Sequence, residues 1–371
     1  MGRTTTAAAA SFGIALVAVA GVGWLLGFGL VASLVAGAIL GAAAAALLVG
    51  ASRRASSVDA DVVFATSTPL TIAIPGILTA RRRHLPMVFE VRDLWPELPI
   101  AIGALKGAVP IFLARRLERV AYHNSARVVA LSPGMRDGVV ATGYPADQVV
   151  VIPNSSDNSL FDVDPDVGRA WAGQDPWIGK RPLVVYIGTF GQINGVDYLA
   201  RLAAAVKQRD PEVRFLAVGD GKMRRRLEQV ARELGELNVN FRVLDPVAKQ
   251  EVPAILSAAT LASSLFVDLE PMWANSANKF FDALAAGVPV MINYGGWQSE
   301  ILDETGVGFR APVNDLETAA DLLVARVRDE AWLESARTAA RRLANERFDR
   351  DLLARELENT LLDVERAHAS R

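Results

Sequence analysis

The sequence predicts an α/β protein with parallel sheets, and three observations point to that class. After residue 54, short apolar runs typical of buried strands alternate with longer stretches of helical periodicity, as in repeated strand–helix–strand units. Turns rich in Gly, Ser, Pro and Asp follow many of the apolar runs. The chain has 371 residues, which is enough for two domains with a sizeable core.

The predicted strands form two groups, separated by an irregular stretch between residues 155 and 179. Each strand is a mainly apolar run, as expected where helices cover both faces of a sheet. The first group comprises Val62–Thr66, Met87–Val91, Arg127–Leu131 and Val149–Ile152. The second group comprises Leu183–Ile187, Val213–Val218, Phe241–Leu244, Leu261–Phe266 and Val288–Asn293.

Composition excludes several classes of site. The chain carries 39 Lys and Arg residues against 41 Asp and Glu residues, so no overall positive field favours nucleic acid as a partner. It has no cysteine, which excludes disulfides, thiolate ligands and a thiol nucleophile. Its three histidines are scattered, at His84, His123 and His368, so we expect no metal site and no bound cofactor.

The first part of the chain is strongly hydrophobic. No charged side chain occurs from Thr4 to Ser52, which is long enough for two membrane spans of about twenty residues each. We expect a membrane hairpin with helices at Phe12–Phe28 and Val31–Val49. Arg3 and Arg53 would place both ends in the cytoplasm, so the protein would lie at the cytoplasmic face of the cell membrane. A secretory signal and a buried core hairpin are the alternatives.

Two basic segments later in the chain also suit a membrane surface. Arg81–Arg83 is a continuous cationic run that would attract anionic lipid headgroups. Pro110–His123 has the periodicity of an amphipathic helix. An ordinary surface helix is one interpretation of it, and contact with a membrane interface is the other. Its predicted apolar face holds Leu113, Leu117, Val120 and Ala121, and its basic face holds Arg115, Arg116 and Arg119.

The segment Asn275–Pro289 combines a polar turn, a short helix and the start of a buried strand. Gly287 lies where a left-handed residue would end the helix. The helix start carries free N–H groups and a partial positive charge, so with Asn278 and Lys279 it suits an anion. Asp282 adds an acceptor one turn later. The alternative is that Lys279 and Asp282 belong to the solvated face of an ordinary helix.

A second candidate site lies where the strand Met87–Val91 ends. Ligands of open α/β sheets collect at the carboxyl ends of strands, and Arg92 and Asp93 follow this strand directly, with Trp95 and Glu97 close behind. The alternative is an Arg92–Asp93 pair that closes a turn, with Trp95 as a packing residue.

Two glycine-rich loops follow strands of the second group. Gly188-Thr189-Phe190-Gly191 follows Leu183–Ile187, and its glycines allow a diphosphate to approach the backbone closely. Gly219-Asp220-Gly221-Lys222 follows Val213–Val218 in the same way. Glycine loops after strands are common, so each loop is a weak signal by itself.

Two of these segments carry a resemblance to a known family. The run Asp282-Ala-Leu-Ala-Ala-Gly-Val-Pro289 resembles the donor-sugar signature of family 4 retaining glycosyltransferases of the GT-B type. Val91-Arg-Asp-Leu-Trp-Pro-Glu97 resembles a subgroup that works on lipid-linked bacterial surface sugars. The resemblance implies a GT-B fold, in which two Rossmann-like domains face a cleft, and transfer with retention of configuration.

The resemblance also implies roles for the candidate residues. Asp282 would hold the ribose hydroxyls of a nucleotide sugar, and Asp93 would orient or deprotonate the acceptor hydroxyl while Arg92 meets a phosphate. The remaining donor-binding candidates are Gly188, Gly191 and Lys279 for the diphosphate, Asp220 for the nucleoside, and Asn278 beside them.

This chain departs from the family pattern at four positions. Arg92 replaces the histidine of a His-Asp pair that often follows the corresponding strand in the family. Ala274 occupies the place of a second acidic residue, for which Asp268 and Glu270 are nearby substitutes. Gln192 and Asn194 occupy the places where Arg and Lys clamp the diphosphate in many relatives. The replacement of the clamp residues by Gln192 and Asn194 increases the importance of Lys279.

By the same resemblance, Pro153-Asn154 marks the hinge between two domains and the last helix returns to the first. We therefore expect a membrane hairpin at residues 1–54, a partial acceptor-side domain at 55–155, a nucleotide-sugar domain at 156–345 and the returning helix at 346–371. The opening Gly-rich strand unit of the family's first domain has no counterpart here, so that domain is expected to be truncated.

The implied function is transfer of a hexosyl or N-acetylhexosaminyl group from a UDP- or GDP-linked donor to a lipid-linked or glycan acceptor, in bacterial surface polysaccharide synthesis. The alternatives are a sugar-nucleotide epimerase of the same fold and a truncated homologue that binds a nucleotide without turnover.

Overall fold

The computed structural model describes residues 46–370, which form two compact units. Unit 1 contains the described residues up to Ile152 and those from Glu356 onward, and unit 2 is Pro153–Arg355. The predicted membrane hairpin lies outside the described residues except for its last positions, which belong to a helix at residues 46–55. No helix between residues 46 and 370 is both long enough and apolar enough to cross a bilayer.

Unit 1 is built on a parallel four-stranded sheet in the order β1-β2-β3-β4. Helices connect the strands, as predicted from the alternation of strand and helix patterns. Its strands are β1 (Val63–Thr66), β2 (Met87–Val91), β3 (Arg127–Ala130) and β4 (Val149–Val151). Its helices are α1 (residues 46–55), α2 (Ala73–Arg83), α3 (Glu97–Ala101), α4 (Ala108–His123) and α5 (Pro133–Ala141).

Helix α4 buries Ala121 and exposes the three predicted basic residues, as expected, but its apolar face is not entirely the predicted one. Val120 is 39% exposed, so its predicted place on the apolar face is wrong, whereas Glu118 is only 6% exposed. The Tyr122 hydroxyl donates a hydrogen bond of 3.2 Å to the Glu118 carboxyl. Burial, aided by the nearby negative charge of Glu97, raises the pKa of Glu118 to about 8. The carboxyl is therefore mainly protonated at neutral pH and enters the core without a charge.

Unit 2 is built on a parallel six-stranded sheet in the order β10-β9-β8-β5-β6-β7. Its strands are β5 (Leu183–Ile187), β6 (Arg214–Val218), β7 (Phe241–Leu244), β8 (Leu261–Ser264), β9 (Val290–Ile292) and β10 (Gly308–Arg310). Its helices are α6 (Asn158–Phe161), α7 (Pro165–Gly173), α8 (Asp197–Lys207), α9 (Arg224–Glu233), α10 (Val252–Ala258), α11 (Asn278–Ala285), α12 (Trp297–Thr305), α13 (Leu316–Arg328) and α14 (Glu330–Glu346).

The strand order of unit 2 reverses between β5 and β8. The chain builds outward from β5 through β6 to β7, returns to pair β8 with the other side of β5, and then builds outward through β9 to β10. At such a switch point the loops after the two central strands diverge and leave a crevice at their carboxyl ends. The fold therefore places the loop after β5 and the loop between β8 and α11 around one crevice.

The last helix, α15 (Arg350–Ala369), belongs to both units: its residues up to Arg355 are part of unit 2, and those from Glu356 are part of unit 1. Within unit 1, the His368 Nε2 atom lies 2.8 Å from the carbonyl oxygen of His84. This contact attaches the end of the chain to the residue that follows α2.

Candidate active site

Two glycine loops lie at the carboxyl ends of β5 and β6 in unit 2, and they interlock through their backbones. The N–H of Gly188 donates to the carbonyl of Val218 at 2.9 Å, and the N–H of Phe190 donates to the carbonyl of Asp220 at 2.8 Å. Gly219 has a φ of 148°, and a Cβ there would lie 2.0 Å from the Gly188 carbonyl oxygen. Only glycine fits this crossing, so the two weak sequence signals form one rigid structure.

Asn194 stabilises the same loop. Its Oδ1 atom accepts a hydrogen bond of 3.2 Å from the backbone N–H of Gly191, and its side chain is buried. Gln192 is exposed beside it. At these two positions the chain therefore has one residue that shapes the loop and one that faces solvent.

Lys279 lies over the first of these loops. It belongs to the first turn of α11, which begins at Asn278 and is followed by Gly287 at a φ of 66°, the left-handed C-terminal residue that the sequence predicts. The Cε atom of Lys279 is 3.2 Å from the position of a Cβ at Gly188. Its Nζ atom is 5.2 Å from the ring centre of Tyr186 and 5.8 Å from that of Phe266. The structure thus brings the predicted cation and the predicted glycine loop together.

The position of Lys279 makes its charge dependent on pH. Burial lowers the pKa of this ammonium group to about 8, and the opposing attraction of Asp282 only partly offsets that effect. Aromatic faces stabilise a cation that has lost water, yet the group still lacks a full counter-charge. A bound anion would supply that counter-charge and raise the pKa again.

Asp282 lies one turn further along α11 and is bound by a residue the sequence analysis did not identify. The Ser156 hydroxyl donates a hydrogen bond of 2.7 Å to Asp282 Oδ1. Burial raises the pKa of Asp282, while the Ser156 hydrogen bond, Lys249 and Lys279 lower it. The carboxylate is therefore held in one orientation in a partly dry environment.

Two other predicted donor residues lie in more open positions. The Asp220 side chain is exposed and lies 4.0 Å from Arg224, which is more tightly paired with Asp245 at 2.6 Å. Its backbone rather than its carboxylate holds the glycine loop. Asn278 is the exposed first residue of α11. Within residues 46–370, both therefore have fewer fixed side-chain contacts than Lys279 and Asp282.

The suggested substitutes for the second acidic residue lie on the same loop. Asp268 and Glu270 are exposed on the loop after β8. Asp268 Oδ2 accepts a hydrogen bond of 3.3 Å from Asn314, and Glu270 begins the 3₁₀ turn that ends at Ala274. The role of either residue as a substitute stays a prediction.

In unit 1, Asp93 follows the carboxyl end of β2, as predicted. The Thr68 hydroxyl donates a hydrogen bond of 2.8 Å to its Oδ2 atom, and the backbone N–H of Arg92 donates to Ser67 Oγ at 2.9 Å. Burial raises the pKa of Asp93, against the lowering effects of the Thr68 hydrogen bond and of Arg92. A carboxylate with a raised pKa at a strand end is a suitable general base.

Thr68 is itself unusual, because it is β-branched and has a φ of 87°. Such residues rarely adopt this conformation, and when they do the surrounding structure holds them there. The bond to Asp93 is one of the contacts that does so. The sequence gives no reason to pair Thr68 with Asp93, which lies 25 positions away.

Two family models match the chain. One, described as a glycosyl transferase 4-like domain, matches residues 8–155, and the other, described as glycosyl transferases group 1, matches residues 181–329. The first match includes the hydrophobic stretch predicted as a membrane hairpin. The second match includes the glycine loops, Lys279 and Asp282.

Named relatives and solved structures agree with these matches. The chain is 26% identical over 304 residues to the putative colanic acid biosynthesis glycosyl transferase WcaI of Escherichia coli, covering 79% of this chain and 72% of WcaI. It is 22% identical over 320 residues to a GDP-mannose-dependent phosphatidylinositol monomannoside mannosyltransferase of Mycobacterium tuberculosis, covering 79% of this chain and 82% of that protein. The structure of Anabaena HepE in complex with UDP superposes with a TM-score of 0.71 at 19% identity, over 85% of this chain and 82% of HepE.

Proposed function

We propose that this chain, which belongs to the glycosyltransferases of the GT-B fold, transfers a sugar from a nucleotide-diphosphate donor to a lipid-linked or glycan acceptor in bacterial surface polysaccharide synthesis. The donor is UDP- or GDP-linked, the transferred group is a hexosyl or N-acetylhexosaminyl residue, and the configuration is retained. Support for each part comes from a different region of the molecule.

The donor proposal rests chiefly on one observation: Lys279 lies over the Gly188 loop at the switch point of the unit 2 sheet, with its charge only partly balanced. A diphosphate there would accept hydrogen bonds from the free N–H groups at the start of α11 and from the ammonium group. As the sugar leaves, negative charge develops on the diphosphate, and a cation held in place stabilises that charge. Asp282 would then accept hydrogen bonds from the ribose hydroxyls.

Asp93 supplies the acceptor chemistry in this proposal. Its carboxylate orients the acceptor hydroxyl or takes its proton, and Arg92, which is exposed beside it, meets a phosphate of the acceptor. The raised pKa of Asp93 brings its basicity closer to neutral pH than that of an ordinary aspartate. The phosphate contact favours a lipid diphosphate over a neutral glycan as the acceptor.

Membrane association at the cytoplasmic face is the location that such an acceptor requires. Besides the hydrophobic residues 1–54, helix α4 supports this proposal, since Val109 is 59% and Phe112 is 63% exposed. Arg116 and Arg119 are exposed on the same helix, and its one acidic residue, Glu118, is buried. An exposed helix with apolar and cationic side chains complements an anionic lipid surface.

Product analysis tests the proposed reaction. The purified chain is incubated with a panel of UDP- and GDP-sugars, with and without a polyprenyl-diphosphate-linked sugar, and the products are separated by mass spectrometry. We expect a glycolipid that is heavier by one sugar, together with free UDP or GDP. An isomerised donor without any acceptor would indicate the epimerase, and nucleotide binding without any product would indicate the non-catalytic homologue.

Vesicle sedimentation tests the role of α4. We expect the chain to bind anionic vesicles more strongly than neutral ones, and the Arg116→Gln, Arg119→Gln double variant to lose most of that difference. The matched control is Arg225→Gln with Arg226→Gln, which removes the same charge from the exposed side of α9. Equal binding of the two double variants to anionic vesicles would contradict the proposal.

A further inference from the structure

The segment that opens unit 2, residues 153–158, contacts the start of α11 directly. The backbone N–H of Asn154 donates to Ser276 Oγ at 3.0 Å, and its Nδ2 atom donates to the Ser276 carbonyl at 2.6 Å. Ser276 lies just before the helix and is buried. Asn154 therefore fixes the position at which the chain enters α11.

Ser156, two residues later, contacts the same helix one turn further on. Its hydroxyl donates to Asp282 Oδ1 at 2.7 Å, and the residue is only 4% exposed. Ser156 also forms an isolated parallel bridge with Asp349. The hydroxyl is therefore positioned by the backbone on either side of it.

The opposite side of the segment is anchored to the end of α14 and the start of α15. The Asn158 Nδ2 atom donates to the Ala344 carbonyl at 3.0 Å and to Asp349 Oδ2 at 3.1 Å. Arg350 pairs with Asp157 at 2.6 Å. Because the segment is held on both sides, its serine and asparagine present hydrogen-bond groups to α11 at fixed positions.

We infer that Ser156 and Asn154 are positioning residues of the nucleotide site: Ser156 orients the Asp282 carboxylate, and Asn154 holds Ser276 at the entry to the helix that carries Lys279. The inference rests on the proposed function, in which Asp282 receives the ribose hydroxyls. Neither residue contacts the nucleotide in this account. Ser156 acts through Asp282 on α11, and Asn154 acts through Ser276, which precedes that helix.

Ser156 controls the direction in which the Asp282 carboxylate points. Its hydroxyl occupies one oxygen of Asp282, which stops the carboxylate from rotating and directs the other oxygen to a ligand. A hydrogen bond donated to a carboxylate also favours the ionised form, which is the form that accepts two ribose hydroxyls. Loss of the hydroxyl would leave the acid freer to rotate and easier to protonate.

The other charges that face Asp282 act in the same direction. Lys279 lies on its own helix, and Lys249 approaches from the 3₁₀ turn Lys249–Glu251. Helix α14 packs against α11 and places Arg341 beside Gly287, at the far end of the helix. The remaining neighbours, α6, β8 and β9, carry no titratable side chain. Ser156 is therefore a neutral contact of Asp282, and its substitution changes the pKa of that carboxyl without removing a charge.

The test measures UDP and GDP affinity by calorimetry from pH 4.5 to 9.5, using the full chain and whichever nucleotide the unmodified protein binds. Ser156→Ala is expected to weaken binding about fivefold to fiftyfold at pH 7, the effect of one hydrogen bond to a charged group. The decline of affinity at acidic pH should begin at a higher pH in this variant, because Asp282 protonates more easily. The decline of affinity at alkaline pH, which reflects deprotonation of Lys279, should occur at the same pH as in the unmodified chain.

Variants at the two positions separate orientation from general stability. Ser156→Thr keeps the hydroxyl, so its nucleotide affinity and the pH at which that affinity falls in acid should match those of the unmodified chain. Asn154→Ala should weaken nucleotide binding at every pH, because Asn154 holds the entry to the helix rather than the carboxylate. The acidic and alkaline pH values at which affinity falls should stay the same. Ser159→Ala is the matched control: it removes an exposed hydroxyl that bonds Asp157, and it should bind as the unmodified chain does.

The outcomes distinguish this inference from the proposed function. If the unmodified chain binds a nucleotide, and Ser156→Ala has the same affinity and loses it at the same acidic pH, the inference alone is overturned. Absence of nucleotide binding by the unmodified chain would overturn both. If Ser156→Ala fails to fold, Ser156→Cys replaces it, because cysteine has a similar side-chain volume and is only a weak donor. In Ser156→Cys the loss of affinity at acidic pH should shift to higher pH in the same way. If it does not shift, the inference is overturned.

Discussion

The carboxyl ends of the two sheets hold their candidate residues in different ways. In unit 2, the backbones of Gly188 and Gly219 cross so closely that a Cβ at Gly219 would lie 2.0 Å from the Gly188 carbonyl oxygen, and Lys279 lies over Gly188. In unit 1, Asp93 is held by the hydroxyl of Thr68, and Arg92 beside it is exposed. One edge is a rigid backbone structure with a cation on it, and the other is an acid on a short turn.

This difference suits two different tasks. A diphosphate has the same shape and charge in every nucleotide donor, so a preformed backbone site binds it without reorganisation. An acceptor hydroxyl needs one correctly placed base, whose surroundings can adapt to the acceptor. Substitutions in unit 2 should therefore appear mainly in donor binding and stability, and those in unit 1 mainly in turnover.

The largest effect is expected for Gly219→Ala. The added Cβ would clash with the Gly188 carbonyl at a φ that alanine disfavours, so we expect a loss of roughly 2 to 5 kcal/mol in the free energy of unfolding, from backbone strain and overpacking together. Denaturant unfolding measures this loss. Donor binding should also fall, because the two loops must separate to admit the methyl group.

The control for that variant is Gly173→Ala. Gly173 ends α7, and a Cβ there meets no atom of the described chain within 4 Å. Its stability should change by less than about 1 kcal/mol, in the range of surface substitutions and helix propensity. If Gly219→Ala is as stable as Gly173→Ala, the crossing of Gly188 and Gly219 is not a rigid element.

The next effect is expected for Asp93→Asn in unit 1. Removal of a general base should lower kcat roughly 10²- to 10⁴-fold, while donor affinity measured by calorimetry stays within about twofold. Thr68→Val, which keeps the shape and removes the hydroxyl, should have a smaller effect in the same direction. A variant Asp93→Asn that turns over at the normal rate would exclude Asp93 as the base.

A smaller effect is expected from pH alone. Lys279 has a pKa lowered to about 8, so it is charged below that pH and loses its proton as the pH rises through it. Donor affinity should be constant near pH 7 and fall above pH 8, by at most about tenfold per pH unit. Calorimetry in buffers of different ionisation enthalpy should show proton uptake on binding at pH 8, and no such uptake in Lys279→Met.

Most strands were predictable from the sequence, and the errors in their bounds have a structural reason. Met87–Val91, Leu183–Ile187 and Phe241–Leu244 are confirmed to the residue. The prediction Leu261–Phe266 was too long, because Phe266 exchanges hydrogen bonds with the side chain of Asn293 rather than with a neighbouring strand. An amide side chain that imitates a strand backbone has no apolar signature in the sequence.

The face of α4 illustrates a second limit. Periodicity placed Val120 on the apolar face because it is apolar, and it gave no reason to bury a charged residue such as Glu118. The structure buries Glu118 with Tyr122 four residues later and exposes Val120. A hydrophobicity pattern assumes that a carboxyl is ionised, and it cannot detect a site in which the carboxyl is protonated.

The candidate site was predictable where it is local and unpredictable where it is not. Lys279, Asp282 and the Gly188 loop could be identified because helix starts and glycine loops have short-range signatures. The bond between Ser156 and Asp282 joins residues 126 positions apart, and both residue types are common on surfaces. Such pairs depend on the tertiary arrangement of several elements, which one sequence does not reveal.

The central claim is that the charge of the donor is received by Lys279 above the Gly188 loop. Calorimetric titration of UDP and GDP at pH 7 into Lys279→Met, with Lys180→Met as the matched control just before the start of β5, tests it most directly. We predict that Lys279→Met binds the nucleotide about tenfold to a hundredfold more weakly, as expected for a lost hydrogen bond to a charged group, and that Lys180→Met binds normally. Equal affinities in the two variants would contradict the claim.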